Sequence, residues 1–127
     1  MSYKNENMKM IELHENGLDI QFRIRENGVV ELADFSSQEV KKAVMEPKED
    51  ICYPAVEIHR SGTGSLNMHA YKNNINQSSV DFVYENHELK AQAGGKELEI
   101  VMISPEKLKA VYHMRLFDGV PAVQTWT

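Results

Sequence analysis

The chain has 127 residues, of which 42% are hydrophobic and 26% charged, and its formal net charge is −5 at pH 7. A chain of this length makes one domain at most, and it can bury roughly two thirds of its unfolded surface, so a real core is within reach. The acidic balance argues against nucleic acid, which calls for a basic face, and against an anionic membrane surface. Neutral sugars remain compatible with it.

The lone cysteine, Cys52, allows no intramolecular disulfide and fits a reducing compartment. The opening stretch, MSYKNENMKMIELHENG, has no apolar h-region, so no secretory signal is expected. No run approaches the ~18 apolar residues of a transmembrane helix. The expectation is a cytoplasmic protein with no membrane partner. Asn76-Gln77-Ser78 matches a glycosylation sequon, but without a secretory signal it reads as a chance match.

Met1 to Asn7 is polar and reads as a frayed terminus. Met8 to His14 reads as a strand with Ile11 and Leu13 on one face, and Asn16-Gly17 as a hairpin turn. Leu18, Ile20, Phe22 and Ile24 then alternate with Asp19, Gln21, Arg23 and Arg25. Period two is the mark of a half-buried strand, with the arginines on the solvent side. Asn27-Gly28 turns the chain into Val29 to Phe35, which completes a three-stranded meander. Ser36 to Met45 is the one helix-like piece, with a capping box from Ser36 to Glu39; it reads as a short helix or an irregular crossing. Pro47 stops it, and Pro47 to Pro54 reads as a loop.

Ala55 to Arg60 reads as a short strand. Ser61 to Ser65, SGTGS, reads as a hairpin loop rather than a phosphate cradle, because no Gly-Lys-Ser/Thr and no helix follow it. Leu66 to Tyr71 can form a strand, and Lys72 to Ser79 is a polar loop. Val80 to Ala93 is extended but polar, anchored by Phe82, Tyr84 and Leu89, and Gly94-Gly95 turns it back. Leu98, Ile100 and Met102 then alternate with Glu99, Val101 and Ile103. After a turn containing Pro105, Leu108, Ala110, Tyr112, Met114 and Leu116 alternate with Lys109, Val111, His113, Arg115 and Phe117. Asp118-Gly119 signals a hairpin, and Pro121 in the last run implies an edge, a strand start or a bulge. That run stops at Trp126-Thr127 with no turn residue after it, and the expectation is a chain cut from something longer. About nine strands and at most one short helix, with turns roughly every ten residues, predict an all-β fold, an antiparallel β-sandwich over 1–127 as a single domain.

The residues carry little chemistry by spacing. His14, His59, His69, His87 and His113 are scattered, and Cys52 has no second thiol, so no metal site is expected. No serine sits on a nucleophile elbow. Asp19, Glu57, Asp81 and Asp118 sit in strand or turn contexts where solvated roles suffice. Tyr53, Tyr71, Tyr84 and Trp126 could stack on a sugar, but aromatics at strand spacing read first as core.

The run RLFDGVPAVQTWT (115–127), with KELEIV (96–101) ahead of it, resembles the N-terminal domain of family 36 glycoside hydrolases, the bacterial α-galactosidases. In that family a strand ends in an aromatic, then Asp-Gly, then a small-apolar strand closing on Trp-Thr. Phe117, Asp118, Gly119, Val120 to Val123, Trp126 and Thr127 stand in those places. A second matching piece is Pro54 to His59, PAVEIH, with the Gly-rich turn after it, so the resemblance covers Pro54 to Thr127.

The resemblance implies an N-terminal fragment of a larger enzyme, part of a galactose-mutarotase-like supersandwich, followed by a (β/α)8 barrel and a C-terminal β domain. It implies a parent that removes terminal α-linked galactose from melibiose- or raffinose-type sugars with retention, using two aspartates on the barrel and no cofactor. No catalytic residue falls in this chain, which by itself is expected to be inactive. The implied partners are the barrel of the parent chain and further copies in a homo-oligomer, with a galactoside as the parent's substrate. In some members a loop ahead of the Pro-Ala-Val-Glu strand reaches a neighbour's active site. Here that loop is only Pro47 to Tyr53, shorter than in many members, and Asp50 and Tyr53 are its candidates for a substrate rim. Gln124 stands where many members place an arginine, and the chain ends partway through the family's sandwich. The alternative is a stand-alone carbohydrate-binding or assembly module without catalysis.

Overall fold

A computed structural model describes residues 9–37, 54–58 and 77–127. Within them lie strands β1 (Lys9–Glu15), β2 (Leu18–Ile24) and β3 (Val30–Ser37), helix α1 (Gln77–Asp81), and strands β4 (Val83–Gln92), β5 (Gly95–Ile103), β6 (Lys109–Phe117) and β7 (Val120–Trp126). The strands form two antiparallel sheets, ordered β1-β2-β3 and β4-β5-β6-β7. The chain is therefore an all-β sandwich.

Period-two patterning selects the inner faces. From the first sheet come Ile11, Leu13, Leu18, Ile20, Phe22, Ile24 and Val30; from the second, Leu98, Ile100, Met102, Ala110, Tyr112, Met114 and Leu116, all in one buried cluster. Phe22 and Tyr112 meet edge to face across the core, ring centroids 5.5 Å apart. Val56 and Phe82 join the same cluster from outside the strands. Leu108, by contrast, lies in the β5–β6 turn and is exposed, as is Leu89 on β4, so neither anchors the core.

Of the three Asn/Asp-Gly turns, only Asn16-Gly17 has positive φ at both positions (54° and 80°), as a type I′ hairpin requires. At Asn27-Gly28 and Asp118-Gly119 only the glycine is left-handed. The β4–β5 turn falls one residue earlier than expected, on Ala93-Gly94. Gly95 is already in β5, where a Cβ would overlap the Leu116 carbonyl oxygen. Pro121 lies where the β6–β7 register slips, between Leu116↔Val123 and Phe117↔Val120, on an edge strand. An edge and an irregularity are where a residue without an N–H is tolerated.

Three expectations are corrected. Ser36 and Ser37 belong to β3 rather than to a helix; the rest of the expected helix, 38–45, lies outside the described residues. The helix that is described, α1, falls on the expected loop and strand start. A five-residue turn is too short to carry a period. It is fixed instead by tertiary contact: the buried Ser79 hydroxyl accepts from Ile58 N (2.8 Å) and donates to Ile58 O (3.3 Å). The segment from Pro54 to Ile58 makes an isolated bridge, Glu31↔Pro54, rather than a strand, though Ala55 N donates to Val30 O at 2.8 Å. The loop 61–65 and the strand 66–71 lie outside the described residues.

Arg23 of β2 and Arg25, just past its end, are also not on a solvated face. Arg23 and Arg25 are buried, and both reach the buried carboxylate of Glu31, at 3.3 and 3.2 Å. A paired and hydrogen-bonded charge can be buried where a lone one cannot. Alternation places a side chain on a face, but it does not say whether that face is covered.

Candidate functional site

The outer face of the four-stranded sheet carries two cross-strand rows set by register. Glu88, Glu99, His113 and Trp126 make one, and Lys90, Glu97, Arg115 and Gln124 the other. These are the polar positions left outside once Leu98, Ile100, Tyr112 and Met114 turn inward.

The rows converge on three side chains. His113 Nδ1 lies 3.3 Å from Glu97 Oε2 and 3.8 Å from Glu99 Oε1. One ligand atom from each of Glu97, Glu99 and His113 falls within 4.8 Å of the others. Glu97 is buried, and His113 and Glu99 are half-buried. Lys90 Nζ crosses diagonally to Glu99 Oε2 at 3.1 Å. That hydrogen bond holds the Glu99 carboxyl below the ordinary carboxylate range and raises Lys90 above the ordinary amine. Trp126 stacks flat on the His113 ring, centroids 4.8 Å apart and planes 3° from parallel. Arg115 turns away, its guanidinium donating to Ala93 O at 3.5 Å and lying over Phe117.

One carboxylate oxygen of Glu97 lies within 4.8 Å of one of Glu99, whereas a retaining glycosidase holds its two carboxyl groups roughly 5–5.5 Å apart. Their arrangement is not that of such a pair. A retaining pair flanks the scissile bond, whereas these two project side by side from one strand, with Lys90 on one and His113 on the other. The cluster suits cation or proton binding better than attack on a sugar.

The sequence-predicted rim residues Asp50 and Tyr53 lie outside the described residues, as does Tyr71. Tyr84 is half-buried against the core, with its hydroxyl 2.7 Å from His87 Nδ1. Trp126 is 39% exposed and is not core. The structure thus separates Tyr84 and Trp126 rather than joining them in one platform: β4 and β7 are opposite edges of the sheet. The Glu97–Glu99–His113 group was invisible to spacing, because Glu99 and His113 become neighbours only through the β5–β6 register.

No family model matches the chain, and no curated protein matches it.

Proposed function

We propose that the chain is the N-terminal, non-catalytic domain of a retaining α-galactosidase acting on terminal α-linked galactose of melibiose- or raffinose-type sugars. In this reading the sandwich packs on the catalytic barrel, supports subunit assembly, and belongs to a cytoplasmic carbohydrate-degrading enzyme. Asp50 and Tyr53 serve as its substrate rim. The barrel carries the chemistry: one carboxylate attacks, and the other acts first as acid and then as base.

One observation carries the reading. The run that bears the resemblance folds as a hairpin, β6 and β7, with Phe117 and Val120 paired across Asp118-Gly119 at the edge of an antiparallel sandwich. That is the fold the resemblance implies for these residues. The open β7 edge, with Val120 and Trp126 exposed, suits contact with further protein.

The reading frame beyond codon 127 tests this. A (β/α)8 barrel with two aspartates at the carboxyl ends of its strands is expected there. A stop codon, or an unrelated domain, would overturn the proposal and favour a stand-alone module.

A further inference from the structure

We propose that Glu97, Glu99 and His113 hold a divalent transition-metal ion of the zinc class on the outer face of the four-stranded sheet. The inference is independent of the galactosidase reading.

The donor atoms are Glu97 Oε2, Glu99 Oε1 and His113 Nδ1. Ligands at the ~2.0–2.2 Å of a zinc ion stand roughly 3.3–3.5 Å apart at the corners of a tetrahedron. The imidazole is already 3.3 and 3.8 Å from the two oxygens, so small side-chain adjustments close the face. One nitrogen with two carboxylates suits zinc and its first-row neighbours; calcium and magnesium favour all-oxygen shells. The fourth position faces away from the sheet, where water or a ligand oxygen can enter.

The surroundings hold the donors in place. Glu97 and Glu99 share β5, and His113 lies opposite Glu99 on β6. Lys90 occupies Glu99 Oε2 and leaves Oε1 for the metal, as an outer partner of a ligating carboxylate does. Trp126 fixes the plane of the imidazole.

A separate observation points to a cation. The Glu97 side chain is only 10% exposed, and it meets both the His113 ring and the neighbouring Glu99 carboxyl. A buried carboxylate calls for positive charge. Lys90 is bonded to Glu99 and acts on Glu97 only through space, and Arg115, which faces Glu97 in the register, is directed to Ala93 and Phe117. An ion bound between the three donors neutralises both Glu97 and Glu99 directly. Such a site weakens in acid, since protons compete for its ligands.

Trp126 is the sole tryptophan and lies on the ligating ring, so its fluorescence reports this site. The test titrates Co²⁺ into the metal-free chain at neutral pH, then competes with Zn²⁺. Saturable one-to-one quenching is expected, displaced by Zn²⁺ and weakened at least ~10-fold by Glu97→Gln and by His113→Gln. Glu12→Gln, on the other sheet, is expected to change nothing. Unsaturable quenching overturns the proposal, and so does unchanged affinity in Glu97→Gln, which would place the ion elsewhere. Should His113→Gln lose the near-ultraviolet signature of the fold, Glu99→Gln replaces it under the same criteria.

Discussion

The side chain of Asn16 closes on the backbone of Gly119: its Oδ1 accepts from Gly119 N at 2.9 Å, while its Nδ2 donates to Phe117 O at 2.8 Å. The β1–β2 turn thereby clamps the β6–β7 turn and ties the two sheets at one end. Lys96 adds an ion pair to Glu15 beside it, 2.5 Å long. Asn16 also tolerates the left-handed φ that its own turn needs.

Asn16→Gly keeps the turn but loses the clamp. A loss of about 1–3 kcal/mol is expected for two hydrogen bonds, measured by urea unfolding. Asn16→Ala should cost more, because alanine resists positive φ. An unchanged midpoint in Asn16→Gly would show that the clamp contributes nothing in solution.

Phe22→Ala should cost about 3–5 kcal/mol, since the ring is fully buried against Tyr112. Arg23→Ala should be of similar size rather than negligible, because it leaves the Glu31 carboxylate short of a buried partner. Arg25 still faces Glu31, so the double variant Arg23→Ala/Glu31→Ala should cost less than the sum of the two singles. Additive losses would mean that the pair is not coupled.

Burial raises the Tyr112 hydroxyl above its ordinary value of 10.0. The fold favours the neutral phenol, so its contribution is full below the unfolded value and is lost as pH rises from about 10 towards the folded value. Tyr112→Phe should flatten that alkaline loss, at a cost of about 1 kcal/mol near neutrality for the hydroxyl's hydrogen bond. Urea midpoints across the alkaline range give both quantities. A wild-type alkaline limb identical to that of Tyr112→Phe would contradict this.

The exposed β7 edge should make the chain self-associate at micromolar concentration, as an open row of backbone donors and acceptors invites. Val120→Lys should weaken this in light scattering without shifting the unfolding midpoint by more than about 0.5 kcal/mol. A monomer throughout, with Trp126 emission already that of a buried ring, would contradict it.

The sheets were legible because period two survives in the sequence: Leu18 to Ile24 and Leu98 to Met102 turn inward as their alternation demands. Turns were legible where glycine must take positive φ, at Gly17, Gly28 and Gly119. Three things were not legible. The burial of Arg23 depends on what covers the outer face of β2. The single turn at Gln77–Asp81 is held by Ser79 and Ile58, 21 residues apart. The Glu97–Glu99–His113 group needs the β5–β6 register, which local patterning does not state.

The most direct test of the proposed function compares two samples on a chromogenic α-galactoside: the product of the whole reading frame and the purified 127-residue chain. The whole product is expected to turn the substrate over, with α-galactose as the first anomer released by nuclear magnetic resonance, while the chain alone gives only the buffer rate. Turnover by the chain alone, lost in Glu97→Gln or Glu99→Gln, would contradict a non-catalytic domain and place the chemistry on the outer face of its own sheet.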